Sequence, residues 1–168
     1  SNALAALALG SAMGLSDSAM LDTMKLFRGL PHRTQFVAEH AGVRWFNDSK
    51  GTNVGACIAA LQGFEGPGKT VLIAGGDSKG ADFSILAPVV QESARAVVLI
   101  GRDAPIIGQA LAGTTVVLNA ESMDEAVTLA AEQAHAGDRV LLSPACASFD
   151  MFSGYEQRGE AVMDAVAR

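Results

Sequence analysis

The sequence predicts an α/β fold, with a Rossmann-like, open and mostly parallel sheet, flanking helices and an N-terminal β-hairpin. From Asn53 onward, short apolar runs alternate with helical patterns, which indicates parallel strands connected by right-handed crossovers. The runs are rich in β-branched residues and leucine, as in strands that are buried on both faces. The 18 glycines indicate many tight turns between strands and helices.

Two helical patterns precede this region, over residues 3–13 and 17–26, and the segment from Gly29 to Arg33 ends them. We therefore predict a boundary there, with residues 1–28 as the helical tail of a truncated neighbouring domain and residues 29–168 as the α/β domain. The opening Ser1-Asn2-Ala3 looks like the remainder of an expression tag, which also indicates an excised piece. Because both helices are apolar with few charges, we expect such a piece to self-associate through residues 3–26.

The α/β domain begins with strands over residues 34–39 and 43–47, which form a hairpin around Ala41-Gly42. Further strands are predicted at residues 70–74, 96–100, 115–118 and 139–142. Helices are predicted at residues 53–64, 83–93, 105–111, 123–134 and 155–167. Open sheets of this kind bind ligands beyond the carboxyl ends of their strands, so polar residues at those ends are the candidate site.

Composition and charge exclude several classes of partner. The 168 residues carry a formal net charge of -6 and a pI near 4.9, with scattered lysines and arginines, so we expect neither nucleic-acid nor membrane binding. No apolar stretch is long enough to cross a membrane, and no signal peptide is recognisable. The two cysteines and three histidines match neither a disulfide framework nor a metal site, which indicates a reduced, cytoplasmic protein.

The main candidate site is Asn47-Asp48-Ser49-Lys50-Gly51-Thr52-Asn53, which follows a predicted strand and begins a predicted helix. The free N–H groups and the dipole of a helix start favour an anion there. Lys50 adds a positive charge, and the Asp48 carboxylate accepts hydroxyls or faces a cation. Thr52 and Asn53 either cap the helix or hold a ligand, and turn and cap roles alone explain this segment equally well when it is taken in isolation.

More polar segments follow other predicted strands. Gly75-Gly76-Asp77-Ser78-Lys79 lets a ligand approach its backbone and carries one charge of each sign, while Ser143-Pro144-Ala145-Cys146-Ala147-Ser148 offers two hydroxyls to a carboxylate. Gly101-Arg102-Asp103 ends another strand, where Asp103 serves either the same crevice or the cap of the next helix. Cys146 lacks a histidine in a matching segment, so a buried, inert thiol is favoured over a nucleophile.

The segment from Gly63 to Thr70 matches the phosphate-loop pattern GxxxxGK[ST]. A phosphate loop follows a strand and begins a helix, so that the helix N–H groups face the phosphates. Here a predicted helix precedes the segment and a predicted strand follows it. We therefore interpret the segment as a helix-to-strand connection and not as a nucleotide site.

The ordered motifs of this chain resemble those of the Mur ligase family. They are Gly29-Leu30-Pro31-His32-Arg33, the polar segments 47–53, 75–79 and 143–148, and the closing Glu156-Gln157-Arg158-Gly159. The resemblance covers residues 29–168 and is closest to the branch that adds D-glutamate. It implies the C-terminal lid domain of an ATP-dependent ligase of bacterial peptidoglycan synthesis, which is cytoplasmic and monomeric at full length.

The resemblance also implies a reaction. In the family, ATP with Mg²⁺ phosphorylates the alanine carboxylate of UDP-N-acetylmuramoyl-L-alanine, and the amine of D-glutamate then attacks the acyl phosphate. Most of ATP and the Mg²⁺ ion would be held by the missing central domain, so this chain alone is expected to be inactive and to hold no metal.

Carried over by position, the family's site residues fall on the polar segments. Asp48 is expected at the ATP ribose, with Arg33 and Lys50 near the phosphates. Lys50 and Lys79 are the expected catalytic residues. The residues expected to bind D-glutamate are Thr52 and Lys79 at its α-carboxylate, and Ser148, Phe149 and Tyr155 near its side-chain carboxylate.

The chain departs from the family pattern at Ser78, where Gly or Asn is usual, and at Phe149 and Tyr155, where Leu and Phe are usual. Tyr155 adds a hydroxyl to a pocket that is normally apolar. Two alternatives stay open, namely another amino-acid ligase of the Mur or folylpolyglutamate synthase type, and a non-catalytic α/β ligand-binding module. The motifs 29–33 and 143–148 favour the D-glutamate branch, and the truncated helices are evidence against the module.

Overall fold

The computed structural model describes residues 2–64 and 66–168, which divide into two compact units between Leu30 and Pro31. The first unit contains the helices α1 (Asn2–Ala12) and α2 (Asp17–Leu26). Gly14 between them has φ +76°, a left-handed conformation that glycine adopts without strain. The exposed apolar side chains of this unit include Leu4, Leu9, Met13, Leu15, Leu21 and Leu26.

The second unit is built around a sheet. Its strands are β1 (Gln35–His40), β2 (Val43–Asn47), β3 (Thr70–Gly75), β4 (Ala94–Ile100), β5 (Val116–Asn119) and β6 (Arg139–Leu142). They lie in the order β1-β2-β6-β3-β4-β5, with β1 antiparallel to β2 and the other neighbouring pairs parallel. The structure therefore confirms the predicted fold class, including the hairpin.

Helices cover both faces of this sheet. They are α3 (Val54–Gln62), α4 (Ala87–Ser93), α5 (Ala104–Ala110), α6 (Met123–Gln133) and α7 (Tyr155–Val166). Because successive side chains of a strand point to opposite faces, Leu72 packs in the apolar cluster with α3, α4 and α5, while Val71 and Ile73 pack in the cluster with α6 and α7. Each face thus has its own core, and the loops at the strand ends stay accessible.

The predicted helix over residues 83–93 is only partly correct. Its first turn is a 3₁₀ turn at Ser84–Leu86, and α4 begins after it. The Asp82 carboxylate accepts hydrogen bonds from the Ser84 N–H at 2.8 Å and from the Ser84 hydroxyl at 2.9 Å. These bonds satisfy backbone at the start of the turn in a tighter geometry than that of an α-helix.

Asp138 connects three strands at the amino-terminal edge of the sheet. Its side chain is 2% exposed. It accepts backbone hydrogen bonds from Lys69 at 2.8 Å and from His135 at 2.9 Å, and it pairs with the Arg95 guanidinium. Although burial raises the pKa of Asp138, these hydrogen bonds outweigh burial and lower it to about 2. One carboxylate thus ties together the starts of β3, β4 and β6.

The carboxyl ends of β2, β6, β3 and β4 meet at the opposite edge, which places the polar segments of the sequence side by side. Among the described residues, the helices are too short or too polar for any of them to span a membrane.

Candidate functional site

The centre of the candidate site is Asp48, a buried carboxylate directly after β2. Its Oδ2 accepts a hydrogen bond from the Ser143 hydroxyl at 2.7 Å, and its Oδ1 accepts one from the Thr34 N–H at 3.0 Å. Burial raises the pKa of Asp48, and these hydrogen bonds oppose that rise. Ser143, which the sequence offered to a ligand carboxylate, binds this internal carboxylate instead and so joins the ends of β2 and β6.

Asn47, His32 and Gly159 form a buried polar contact beside Asp48. The Asn47 side chain accepts from the Ser49 N–H at 3.0 Å through Oδ1, and its Nδ2 donates to the Gly159 carbonyl at 3.2 Å. The same Nδ2 lies 3.0 Å from His32 Nδ1, which must therefore be the acceptor in this pair. The Lys50 N–H donates to the His32 carbonyl at 3.0 Å. This hydrogen bond fixes the backbone of Lys50 next to the residue that precedes the exposed Arg33.

Arg158 on α7 connects two of the polar segments. Its side chain is 0% exposed and donates to the Ser49 hydroxyl at 3.0 Å, the Ser49 carbonyl at 2.9 Å and the Cys146 carbonyl at 3.1 Å. The Ser49 hydroxyl in turn donates to the Tyr155 carbonyl at 2.8 Å. Burial lowers the pKa of Arg158 to about 10, and the nearby Cys146 and Asp150 offset only part of that effect. Arg158 sets the separation between segments 47–53 and 143–148.

Lys50 and Tyr155 are brought into direct contact. The Lys50 ammonium lies 3.8 Å from the centroid of the Tyr155 ring, a cation–π geometry. The His32 ring meets the same tyrosine edge-on, with centroids 5.9 Å apart. The structure therefore unites one residue predicted for ATP with one predicted for D-glutamate.

Lys79 and Ser148 lie on two loops that are paired through their backbones. Asp77 and Ala147 exchange two hydrogen bonds, of 3.0 and 2.9 Å, as an isolated antiparallel bridge. Lys79 is exposed, whereas Ser148 is only 3% exposed. The bridge therefore fixes the relative position of the two backbones that carry these side chains.

The remaining predicted residues lie at the same sheet edge. Thr52 is half-buried, and its N–H donates to the Lys50 carbonyl at 2.9 Å. Phe149 is 71% exposed and follows Ser148 directly. Within residues 2–64 and 66–168, no hydrogen bond or ion pair directly joins the side chains of Thr52, Lys79 and Ser148.

Comparison with known proteins places this site in a family. The model of the Mur ligase glutamate ligase domain matches residues 32–146, which is most of the chain. The chain belongs to the Mur ligase family. The UDP-N-acetylmuramoylalanine–D-glutamate ligase of Nitrosococcus oceani is 56% identical over 165 residues, which cover 98% of this chain and 36% of that relative. The chain thus spans about a third of the length of the curated relatives that it matches.

Solved structures show the same fold at low identity to this Mur ligase domain. The UDP-N-acetylmuramate–alanine ligase MurC of Thermotoga maritima superposes with a TM-score of 0.71 at 17% identity, covering 99% of this chain and 37% of that chain. The structure of E. coli FolC in complex with DHPP and ADP gives 0.71 at 21% identity, covering 99% of this chain and 39% of that one. At such identities the likeness concerns the fold alone.

Both cysteines of this Mur ligase domain lie in environments that disfavour the thiolate. Cys57 and Cys146 are both buried, and burial raises the pKa of each thiol to about 12. The predicted burial of Cys146 is confirmed. The segment from Gly63 to Thr70 connects the end of α3 to the start of β3, as its element order predicted, so it does not begin a helix.

Among the described residues, no group of three or more His, Cys, Asp or Glu side chains is arranged to hold a metal ion. The residues that sequence reasoning missed are Asn47, Ser49 and Arg158 as parts of the site's framework. All three belong to motifs that the family resemblance used, but the motifs gave none of them a structural role. A fully buried arginine among hydroxyls and carbonyls has no local sequence pattern that would reveal its partners.

Proposed function

We propose that this Mur ligase domain binds D-glutamate and closes over ATP in a bacterial, cytoplasmic ligase that adds D-glutamate to UDP-N-acetylmuramoyl-L-alanine. The observation that carries the proposal is the likeness to D-glutamate ligases along nearly the whole chain. The geometry supports it, because cations and hydroxyls surround a buried carboxylate at the ligand-binding edge of the sheet. We further propose that residues 1–28 belong to a preceding ATPase domain of a longer protein that is monomeric.

The ATP side of the proposed site comprises Asp48, Lys50 and Arg33. Asp48 Oδ1 accepts hydrogen bonds from both the N–H and the hydroxyl of Thr34, at 3.0 and 3.4 Å. Asp48 Oδ2 accepts one from Ser143 and keeps a second lone pair for a ribose hydroxyl. Arg33 is exposed, and the Lys50 ammonium rests on an aromatic ring. That contact contributes about 0.5–1 kcal/mol at an accessible site, less than charge-assisted bonds to a phosphate, so Lys50 is free to leave Tyr155. ADP in the structural neighbour FolC is consistent with a nucleotide here.

Mg²⁺ enters the proposal only as the ion that accompanies ATP. The described residues do not form a carboxylate cluster that fits it, and we derive no step through it. ATP, when bound, supplies the phosphoryl group that activates the alanine carboxylate.

The D-glutamate side combines an ammonium and hydroxyls on two loops. In this proposal the Lys79 ammonium and the Thr52 hydroxyl receive the α-carboxylate, while Ser148 and the backbone at Tyr155 receive the side-chain carboxylate. Phe149 adds an exposed ring next to Ser148. Charge-assisted hydrogen bonds at two separated ends recognise a dicarboxylate of fixed length and orientation.

Orientation is the main catalytic contribution of such a domain. The D-glutamate nitrogen forms a bond to the activated alanine carbonyl carbon, the bond from that carbon to the phosphate oxygen breaks, and the nitrogen releases a proton. In this proposal, holding both carboxylates lets Lys79 aim the amine at that carbon. Lys50 is assigned the role of offsetting the charge that develops on the phosphate. Positioning two reactants in this way accounts for a large part of the rate of a bimolecular reaction.

The decisive experiment is Lys79→Ala in the full-length protein that contains this domain. The KM for D-glutamate should rise about 10- to 100-fold, because a charge-assisted hydrogen bond is lost, while the KM for ATP should change little. The matched control is Lys69→Ala, an exposed lysine at the opposite edge of the sheet, which should leave both constants unchanged. Equal losses for both substrates would contradict the role given to Lys79.

Amino-acid selectivity tests the choice of substrate. ADP release by the full-length protein with UDP-N-acetylmuramoyl-L-alanine should require D-glutamate and should not occur with L-glutamate or L-alanine. Turnover with another amino acid alone would favour the other ligases of the family, and failure to turn over with any amino acid would favour a non-catalytic module.

A further inference from the structure

The Asp103 carboxylate does not cap the helix that it precedes. Asp103 occupies the N-cap position of α5, yet its side chain makes no hydrogen bond to that helix. Its Oδ2 instead accepts the N–H of Ser78 at 2.7 Å, on the loop that follows β3. Hydrogen bonding to Ser78 lowers the pKa of Asp103, so the carboxylate is ionised at neutral pH. A typical capping residue is therefore used between two strand ends.

The neighbouring Arg102 reaches the same loop from the other side. Its Nη2 lies 2.9 Å from Asp77 Oδ1, and its Nε lies 3.6 Å from Asp103 Oδ1. The Asp77 Oδ1 atom also accepts the Lys79 N–H at 3.1 Å. Arg102 and Asp103 thus act, directly or through Asp77, on the two successive amides of Ser78 and Lys79.

The backbone of Lys79 needs this support. Its φ is +50°, in the left-handed region where side chains other than that of glycine are uncommon. Such a conformation persists when the surrounding contacts determine it, and it then aims the side chain in one direction. The two amide bonds described above are contacts of that kind.

The loop after β3 and the loop after β4 are also in close backbone contact. The backbone that carries the Asp103 carboxylate is therefore held in place. The Asp103 N–H donates to the Gly76 carbonyl at 3.2 Å, and a Cβ atom at Gly101 would lie 2.8 Å from the Gly76 Cα. The Arg102 N–H is held in turn by Asp150 Oδ2 at 2.8 Å. The backbone N–H groups of both Arg102 and Asp103 are thus held by hydrogen bonds.

We propose that Arg102 and Asp103 are positioning residues for D-glutamate binding, which fix the Ser78–Lys79 peptide so that the Lys79 ammonium meets the α-carboxylate. This inference rests on the proposed function. The bridge between Asp77 and Ala147 extends the same framework to Ser148. Arg102 and Asp103, which follow strand β4, therefore also influence the distance between the two carboxylate sites.

The test compares Asp103→Ala with Asp103→Asn in the full-length protein. Asp103→Ala should raise the KM for D-glutamate about tenfold and leave the KM for ATP within about twofold, because it frees the Lys79 loop alone. Asp103→Asn retains an oxygen that accepts the Ser78 N–H, so its KM for D-glutamate should recover to within about threefold of the wild type. The matched control is Asp82→Ala, which removes another Asp-to-backbone bond in the same loop but contacts Ser84.

A double variant shows whether Asp103 acts through Lys79. In the Lys79→Ala background, Asp103→Ala should add less than about twofold to the KM for D-glutamate, because the group that it positions is gone. Should Asp103→Ala fail to fold, Arg102→Gln provides the same comparison, with an expected rise of about threefold. Fully additive effects, or equal changes in both KM values, would overturn the inference.

The outcomes separate this inference from the proposed function. If Lys79→Ala raises the KM for D-glutamate and Asp103→Ala does not, only the positioning role is wrong. If the wild type does not use D-glutamate, the proposed function is wrong and this inference with it.

Discussion

Replacing Asp138 by asparagine tests the electrostatic account of the sheet's amino-terminal edge. The pKa of about 2 in the folded chain, against an ordinary value of 3.8, means that the ionised carboxylate stabilises the fold. At about 1.4 kcal/mol per pKa unit, this stabilisation is about 2 kcal/mol at neutral pH. The amide of the substituted side chain keeps one acceptor oxygen but turns an N–H₂ group toward donors, so the variant Asp138→Asn should lose at least this amount.

The sign of the pH dependence follows from the lowered pKa. The contribution of Asp138 is fully present above pH 3.8 and is lost as the pH falls through about 2. The difference in unfolding free energy between the wild type and Asp138→Asn should therefore shrink by about 2 kcal/mol between pH 6 and pH 2. Urea unfolding can be followed by the fluorescence of Trp45, the one tryptophan of the chain, which is buried on β2 next to β6.

A control separates this effect from general acid unfolding. Asp164→Asn removes a carboxylate on the exposed side of α7 that lies outside the Asp138 network, and it should change stability by less than about 0.5 kcal/mol at any pH. A difference between wild type and Asp138→Asn that stays constant from pH 6 to pH 2, or that grows in acid, would refute the reasoning.

Three further predictions concern the buried framework of the site. Arg158→Ala should lower the unfolding free energy by about 3–5 kcal/mol in urea titrations. Arg158→Met should lower it by roughly half as much, because Met fills the space and removes a desolvated charge. Equal losses in the two variants would contradict this prediction. Gly159→Ala should cost about 1–3 kcal/mol in the same assay, since its Cβ would overlap the His32 ring, and a neutral effect would show that the ring moves freely. Cys57 and Cys146 should react with a thiol reagent at pH 8 only after urea unfolding, as their pKa of about 12 requires; labelling of the folded chain would show that one of them is accessible.

The elements that the sequence predicts best are those whose signal is local. The bounds of β2 and β6 agree with prediction to the residue, because each is a short apolar run that ends at polar or small residues. The start of the predicted helix at residue 83 was wrong, because the Asp82 side chain competes for the backbone there. Placing Asp48, Lys50 and Lys79 at strand ends required only the alternation of strands and helices.

Partners that are distant in the sequence escaped prediction. The Ser143 hydroxyl binds Asp48 across 95 positions, and Arg158 binds Ser49 across 109. A hydroxyl or a guanidinium satisfies many acceptors equally well, so its residue type does not reveal which acceptor the fold presents. Asp103 illustrates the same limit at shorter range, since the local pattern fitted a place in the crevice and a helix cap equally well, and its observed partner is the Ser78 N–H.

The strand order has a consequence for how the chain acquires its site during synthesis. Strand β2 pairs with β1 on one side, but its neighbour on the other side is β6, which is synthesised almost a hundred residues later. Until then the Asp48 carboxylate lacks its Ser143 donor, and Ser49 lacks Arg158 until α7 has also emerged. While the residues between β2 and β6 are synthesised, the nascent domain therefore carries an unpaired edge of β2, a state that favours aggregation and slow, non-local folding. Packing of α7 against the sheet brings Arg158 to Ser49 and thereby completes the buried framework of the site.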